Sequence, residues 1–284
     1  MDTCVSTAKR LTDAEQWELF APYMGYMALL RNLRGMDQAG LGDKVAGVVS
    51  RKLASASQVA VSRQLPYRFL SAYKELSSAR WLQTLSEALD LSVTNVPAFT
   101  GSTLVLVDTS GSMQAPISGK SKITRMEAGA VFGVALAAKS GQSADLFGFA
   151  DYTFYHHVPR GASVLLSTGE FCKRSGEVGH GTRMADAIRT TYKNHNRVII
   201  ISDMQAFPSG GSGWYSNYGR TGDVLNAVPE NVPIYAFNTV GYAPTIVDNA
   251  PNRYELGGLT DATFKMIPFL ERGERAIWPW MDAS

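Results

Sequence analysis

The chain has 284 residues, of which 45% are hydrophobic and 18% charged, and its formal net charge is +2. This length allows a full hydrophobic core and two structural units, and a charged share below the usual value of about 25% suggests extensive buried surface. No apolar run approaches the length of a membrane span, Met1 does not open a secretory leader, and Cys4 and Cys172 are too few for a disulfide framework. We therefore expect a soluble cytoplasmic protein, and we expect no structural zinc because the histidines lack zinc-ligand spacing with these cysteines.

Residues 13–96 have the apolar spacing of amphipathic helices. Apolar residues recur every three or four positions in WELFAPYMGYMALLRNLRGM and again in PYRFLSAYKEL. Gly40 and Gly42 interrupt the pattern, Pro66 opens a new helix as its fixed φ allows, and a further helix is expected over Trp81 to Leu91. The pattern predicts paired antiparallel helices, a fragment of a helical-repeat array over residues 1–97.

Basic residues are concentrated in the same part of the chain. Between Arg31 and Arg80 there are nine lysines and arginines but only three acidic residues. A basic helical surface of this kind can attract the phosphate backbone of a nucleic acid. The same residues could instead form a solvated helix face that balances acidic charge elsewhere, and composition alone leaves both interpretations open.

After Pro97 the sequence alternates between strand-like and helix-like segments. Strands are expected at Leu104–Val107, Asp145–Phe149, Val198–Ile201 and Ile234–Phe237, and helices at Ile123–Lys139, Thr182–Tyr192 and Thr260–Leu270. Such alternation predicts an α/β fold over residues 98–284, with a doubly wound, mostly parallel sheet between layers of helices.

Oxygen-bearing side chains follow two of these strands. The apolar, β-branched run in TLVLVDTSGSM ends at Asp108 and is followed by Ser110 and Ser112, and a second apolar strand, RVIIISD, ends at Asp203. Thr182 lies in a glycine-flanked loop that enters a helix. Because ligands bind beyond the carboxyl ends of strands in open α/β sheets, we expect these five side chains to converge. Hard oxygen donors of this kind suit Mg²⁺ rather than zinc.

The same residues also have a simpler interpretation. Asp108 and Ser110 could cap the following helix, and Asp203 could begin a turn. The occurrence of suitable donors on three separate loops favours the metal site over this alternative.

With all five positions in place, residues 98–284 resemble the von Willebrand factor A family, whose metal-ion-dependent adhesion site uses a DxSxS turn, a distant threonine and a strand-end aspartate. The resemblance implies that Ser110 and Ser112 bind Mg²⁺ directly and that Thr182 and Asp203 act directly or through water. It also implies an open coordination position for an acidic residue of a partner protein.

The helical segment resembles the end of the TROVE module of Ro ribonucleoproteins, in the strings MALLRNLRGM and SRQLPYRFLSAYK and the short linker that follows. In Ro proteins a von Willebrand A domain closes a ring of HEAT-like repeats. That ring binds small noncoding Y RNAs on its outer surface and admits the ends of misfolded RNAs through its basic hole. The resemblance implies RNA as a partner and makes Arg31, Arg34, Arg63 and Arg68 candidates for phosphate contacts.

The helical segment is shorter than the resemblance requires. Fewer than a hundred residues precede the linker, whereas a complete ring needs several more helix pairs. A shortened repeat array exposes an apolar edge or docks on another surface. The chain is therefore expected to be either a piece of a longer protein or an abbreviated relative, and threading of RNA through a ring is not carried over.

A glycine-rich segment, Ser209 to Gly222, follows Asp203 and borders the expected metal site. It lacks the strand, GxGxxG and helix order of a nucleotide-binding loop. Its larger side chains could stack on unpaired bases, form a rim around a protein ligand, or be incidental in a surface loop; they are Trp214, Tyr215, Tyr218 and Arg220.

Catalysis is not expected. Phosphoryl-transferring hydrolases with an aspartate nucleophile need a second aspartate two residues on, where this chain has Ser110. The DTSGS context is not a GxSxG nucleophile elbow. We therefore expect a Ro-like, RNA-binding, non-catalytic scaffold in noncoding-RNA handling with a Mg²⁺-dependent ligand-binding domain. The alternative is a metal-dependent protein–protein interaction module without an RNA role.

Overall fold

The chain forms a central sheet covered by helices, and the helices of the first third of the chain pack on two of the helices that cover one face of this sheet. The structure, a computed structural model, describes residues 11–76, 78–119, 121–203, 224, 226–240 and 251–273. Among these residues, no helix is both long enough and apolar enough to cross a bilayer.

The first segment is helical, as its apolar spacing predicts. Its helices are α1 Asp13–Phe20, α2 Tyr26–Gln38, α3 Asp43–Leu53, α4 Ala56–Ser62, α5 Pro66–Glu75 and α6 Leu82–Ser92, with 3₁₀ turns at Ala21–Tyr23, Ala79–Trp81 and Val93–Asn95. The long apolar pattern before Gly40 is interrupted in a 3₁₀ turn, because Pro22 has no N–H to continue α1. Pro66 occupies the first turn of α5, where its missing N–H costs nothing, as predicted.

The second segment forms a six-stranded sheet with helices between the strands. The strands are β1 Thr103–Asp108, β2 Ala144–Phe149, β3 Thr153–Tyr155, β4 Arg197–Ser202, β5 Ile234–Asn238 and β6 Arg253–Gly257, in the order β3-β2-β1-β4-β5-β6. All pairings are parallel except that of β3 with β2. The accompanying helices are α7 Arg125–Ser140, α8 Val164–Lys173, α9 Met184–Thr191 and α10 Asp261–Arg272. The predicted mostly parallel α/β fold is confirmed, although β3, β6 and α8 were not predicted.

Both faces of the sheet are covered, so the doubly wound prediction is also confirmed. Val105 and Val107 point to the face covered by α7, α8 and α10, while Leu104 and Leu106 point to the face covered by α9. Helix α7 lies unusually close to the sheet. A Cβ at Gly133 would be 2.8 Å from Leu146 Cδ1 and 3.0 Å from a Val107 methyl carbon, so a larger residue would push α7 away.

The helical segment shares a continuous apolar core with the α7 face of the sheet. Tyr67 of α5 stacks on Phe132 of α7 with ring centroids 6.1 Å apart. Polar contacts flank this core: Lys74 Nζ lies 2.6 Å from Glu127 Oε1, and Asp90 Oδ1 accepts the N–H of Val164 at 2.7 Å. The helices therefore pack on α7 and α8, which cover this face of the sheet, and the division into domains at residue 97 stays a prediction.

Candidate functional site

The site lies where the strand order changes direction. The chain runs outward from β1 to β2 and β3 on one side, and from β4 to β5 and β6 on the other. In open α/β sheets such a reversal opens a crevice beyond the carboxyl ends of the two central strands. Asp108 ends β1 and Asp203 follows β4, so both aspartates lie at this crevice.

Asp108 is fully buried and held by two hydrogen bonds. Its Oδ1 accepts the N–H of Ser110 at 2.8 Å, and its Oδ2 accepts the Ser202 hydroxyl at 2.6 Å. Burial raises the pKa of Asp108 to about 6, although the hydrogen bonds from Ser202 and Ser110 act in the opposite direction. A buried carboxylate of this kind is favourable only when its charge is compensated.

The two serines of the turn lie side by side. The hydroxyl oxygens of Ser110 and Ser112 are 3.3 Å apart. Neither the Asp108 nor the Ser110 side chain caps a helix, because the 3₁₀ turn with Ser110 at its N-cap position has no side-chain cap and α7 is capped by Thr124. The capping interpretation of these residues is therefore wrong, and their oxygens remain together at the crevice.

The loop that carries Thr182 lies beside this turn. The carbonyl of His180 accepts the N–H of Gly111 at 3.3 Å. Asp151 Oδ2 accepts the N–H groups of His180 and Gly181 at 3.0 and 3.1 Å. Asp151 thus fixes the loop against the end of β2. Sequence reasoning did not identify it, although its position two residues beyond a predicted strand was a usable signal.

Arg125 also occupies the crevice, and sequence reasoning did not identify it. Its Nη1 lies 2.7 Å from Asp203 Oδ2 and 3.4 Å from the Ser112 carbonyl oxygen. The side chains of Arg125 and Asp203 are 14% and 2% exposed, so this ion pair is largely shielded from water. The crevice therefore combines two buried carboxylates, adjacent hydroxyls and one guanidinium.

The donors at the crevice are of the type that Mg²⁺ prefers. Within the described ranges, no group of three or more His, Cys, Asp or Glu side chains could hold a metal ion. A cation here would therefore depend on serine and threonine oxygens in addition to the two aspartates. The metal role of the five predicted residues stays a prediction.

A second polar feature lies between α2 and α5. A cleft of about 300 Å³ is lined by the side chains of Arg31, Arg34 and Arg68. Glu75 also lines it and pairs with Arg34, with Arg34 Nη1 2.8 Å from Glu75 Oε2. Three of the four arginines predicted for phosphate contacts therefore share one cleft.

The fourth predicted arginine lies elsewhere. Arg63 is exposed, ends α4 with a left-handed φ of 55°, and does not line the cleft. Its carbonyl accepts the Lys265 ammonium at 3.1 Å. The predicted aromatic residues of the glycine-rich segment, Trp214, Tyr215 and Tyr218, together with Arg220, lie outside the described residues.

Two comparisons agree with this architecture. Residues 6–89 match the family model of the TROVE domain. The crystal structure of the Deinococcus radiodurans RO (RSR) protein is similar, with a TM-score of 0.67 and 18% sequence identity, and the match covers 89% of this chain and 54% of that chain. The chain thus spans about half the length of the RO protein.

Two further comparisons give no similarity on which a fold or a function could be argued. A mutant PilB minor pilin from Streptococcus sanguinis matches with a TM-score of only 0.33 at 12% identity, covering 60% of this chain and 59% of that chain. A search of curated proteins found no match. The match to the TROVE domain therefore lies in the helical segment, and the fold over most of the chain is similar to that of the RO protein.

Proposed function

We propose that the protein binds RNA as a non-catalytic scaffold in the handling of small noncoding or misfolded RNA in the cytoplasm. The observation that carries the proposal is the arginine cleft between α2 and α5. Its arginines lie in the segment that matches the TROVE domain, and they line one cavity although Arg31 and Arg68 are distant in sequence. The match of residues 6–89 to the TROVE domain and the similarity of the fold to that of the RO protein support the choice of RNA as the ligand.

The chemistry of the cleft suits a phosphate group. Guanidinium groups present a planar fork of donors that matches phosphate oxygens in two-point contacts. The Arg34 side chain is 56% exposed despite its pairing with Glu75, so it can turn toward a ligand. Glu75 offsets one of three positive charges, and Lys122 Nζ lies 3.7 Å from that carboxylate and adds another. Contacts to phosphates would position RNA without reading its sequence.

Removing two of these charges should weaken RNA binding. For the double variant Arg31→Gln and Arg34→Gln we expect about 10-fold or greater loss of affinity for a structured small RNA at 0.1 M salt. The slope of log affinity against log salt should become shallower by roughly one for each lost phosphate contact, because fewer counterions are released. Filter binding over a range of salt concentrations measures both quantities.

A matched control separates the cleft from overall charge. Lys44 and Arg51 are exposed on α3 and do not line the cleft, and replacing both with glutamine changes the net charge equally. This control should keep most of the affinity. Equal losses in the two double variants would contradict a role for the cleft, and no RNA binding by the unchanged protein at low salt would contradict the RNA function itself.

The oxygen donors at the crevice favour a second candidate function. We infer that Asp108, Ser110, Ser112, Thr182 and Asp203 hold Mg²⁺ and that the protein thereby binds an acidic residue of a partner protein. The bound ion would supply an electrophilic position for that carboxylate. The support is the adjacency of the serine hydroxyls and the burial of Asp108, whose charge needs compensation.

Neutralising Asp108 tests the metal site. The variant Asp108→Asn should bind Mg²⁺ or Mn²⁺ on the order of 100-fold more weakly, because a buried carboxylate is removed from a donor set with few charges. Isothermal titration with each ion measures the change, and Asp186→Asn, at a partly exposed aspartate of α9, is the control. Unchanged ion binding in Asp108→Asn would rule out this site. A partner that is captured without RNA and released by chelator would favour the interaction module over the RNA scaffold.

A further inference from the structure

Arg125 is placed where a cation bound by the predicted donors would interact with Asp203. Its Nη1 contacts Asp203 Oδ2 at 2.7 Å and approaches the Ser112 carbonyl at 3.4 Å, so the guanidinium lies between the serine turn and the end of β4. The Asp203 side chain is only 2% exposed, and water therefore screens this ion pair little. The protein thus supplies a positive charge to the crevice from its own chain.

The fold directs Arg125 into the crevice. Arg125 is the first residue of α7, and its N–H donates to the Ala115 carbonyl at 2.9 Å. Thr124 and Glu127 form a reciprocal capping box that fixes this end of the helix. The close packing of α7 on β1 at Gly133 holds the helix over the crevice.

Helix stability does not explain an arginine at this position. The N-terminal end of a helix carries partial positive charge, so a guanidinium in the first turn is unfavourable there. The buried Arg125 Nε has no hydrogen-bond partner among the described residues. Its placement therefore depends on the carboxylate of Asp203, to which the side chain acts as a counter-ion.

We propose that Arg125 is an internal competitor of the divalent cation, so that the crevice alternates between a form closed by the Arg125–Asp203 pair and an ion-bound form with Arg125 withdrawn. This inference rests on the proposed metal site. A guanidinium and a divalent cation repel each other, so each weakens the binding of the other to Asp203 when both lie at short range. Ion binding and release of Arg125 are then one event, and the ion affinity of the protein is lower than its oxygen donors alone would produce.

Labelling of the unchanged full chain provides one test. Phenylglyoxal modifies accessible guanidinium groups, and peptide mass spectrometry reports the extent at each arginine. Saturating Mg²⁺ should increase modification of Arg125, because the ion displaces its side chain from Asp203, whereas modification of Arg189 on the exposed side of α9 should not change. Unchanged labelling of Arg125 at an Mg²⁺ concentration that saturates the site would overturn the proposal.

Titration of a variant provides the second test. Arg125→Gln should bind Mn²⁺ and Mg²⁺ about 10-fold or more tightly than the unchanged protein, because the positive charge that Arg125 places beside Asp203 is removed. Its melting temperature should be lowered in chelator, since the buried Asp203 loses its ion pair with Arg125, and should rise with Mg²⁺ more than that of the unchanged protein. Arg189→Gln, which weakens an exposed ion pair with Asp186, should do neither.

The outcomes separate the two proposals. Equal ion affinity in Arg125→Gln and the unchanged protein, together with loss of binding in Asp108→Asn, would refute competition and leave the metal site intact. Absence of ion binding in the unchanged protein and in Arg125→Gln would refute both. Ion binding by Arg125→Gln but not by the unchanged protein would support competition and would mean that Arg125 excludes the ion completely.

Discussion

Replacing Arg197 with methionine is expected to lower the free energy of unfolding by about 3 kcal/mol, because it leaves a mostly shielded carboxylate without its partner. Arg197 is 3% exposed and forms an ion pair with Glu271 of α10. It also donates to the Thr103 hydroxyl at 2.9 Å, and its guanidinium carbon lies 5.2 Å from the centre of the Phe99 ring. The side chain thus joins the start of β4, the start of β1 and the last described helix.

Urea denaturation at neutral pH measures this change in the free energy of unfolding. Two further variants serve as a control and as a test of rescue. Arg189→Met removes an arginine from an exposed ion pair and should cost no more than about 0.5 kcal/mol. Glu271→Met added to Arg197→Met should recover part of the loss, because it removes the unpaired charge. A loss in Arg197→Met no larger than that in Arg189→Met would show that the Arg197–Glu271 pair does not stabilise the fold.

Replacing Trp81 with alanine is expected to cost about 3–5 kcal/mol, because it opens a cavity within the helical segment. Trp81 is completely buried, and its indole N–H donates to Asp37 Oδ1 at 3.1 Å. The same carboxylate oxygen accepts the Ser78 hydroxyl at 2.6 Å. These contacts connect the beginning of α6 to α2, the helix that carries two of the cleft arginines.

Two variants separate packing from hydrogen bonding at this position. Trp81→Phe keeps much of the ring volume and removes the N–H, so it should cost less than Trp81→Ala. Phe20→Ala removes an aromatic ring that is 58% exposed and should change the free energy of unfolding by about 0.5 kcal/mol or less. Chemical denaturation followed by tryptophan fluorescence and circular dichroism measures all three, and similar losses for Trp81→Ala and Phe20→Ala would contradict the core role of Trp81.

The elements that sequence patterns predicted are those buried on both faces or strongly amphipathic. Strands β1 and β4 are buried along their whole length and appear in the sequence as short apolar runs. The missed strands lie at the two edges of the sheet: β3 has three residues, and β6, with the sequence RYELG, alternates polar and apolar positions. Edge strands are buried less completely, so their sequences carry a weaker hydrophobic signal.

Part of the candidate site can be predicted from residues that are adjacent in the sequence, and part depends on contacts between distant segments. The DxSxS turn is formed by consecutive residues and can be read from the sequence. Asp203 follows a second apolar strand, which predicts that it lies near this turn, at the carboxyl ends of the strands. The pairing of Arg125 with Asp203 joins positions 78 residues apart and has no local pattern. It depends on how α7 packs across β1 and β2, which involves the close approach of Gly133 to Val107 and Leu146.

The sequence by itself determined the α/β class, the helical segment before it, and the oxygen chemistry of Asp108, Ser110 and Ser112, because these follow from hydrophobic period and from neighbouring residue types. Only the tertiary structure decided that Arg31, Arg34 and Arg68 share a cleft while Arg63 does not, and that a guanidinium faces Asp203. These arrangements depend on packing between segments distant in the chain, which no local spacing encodes.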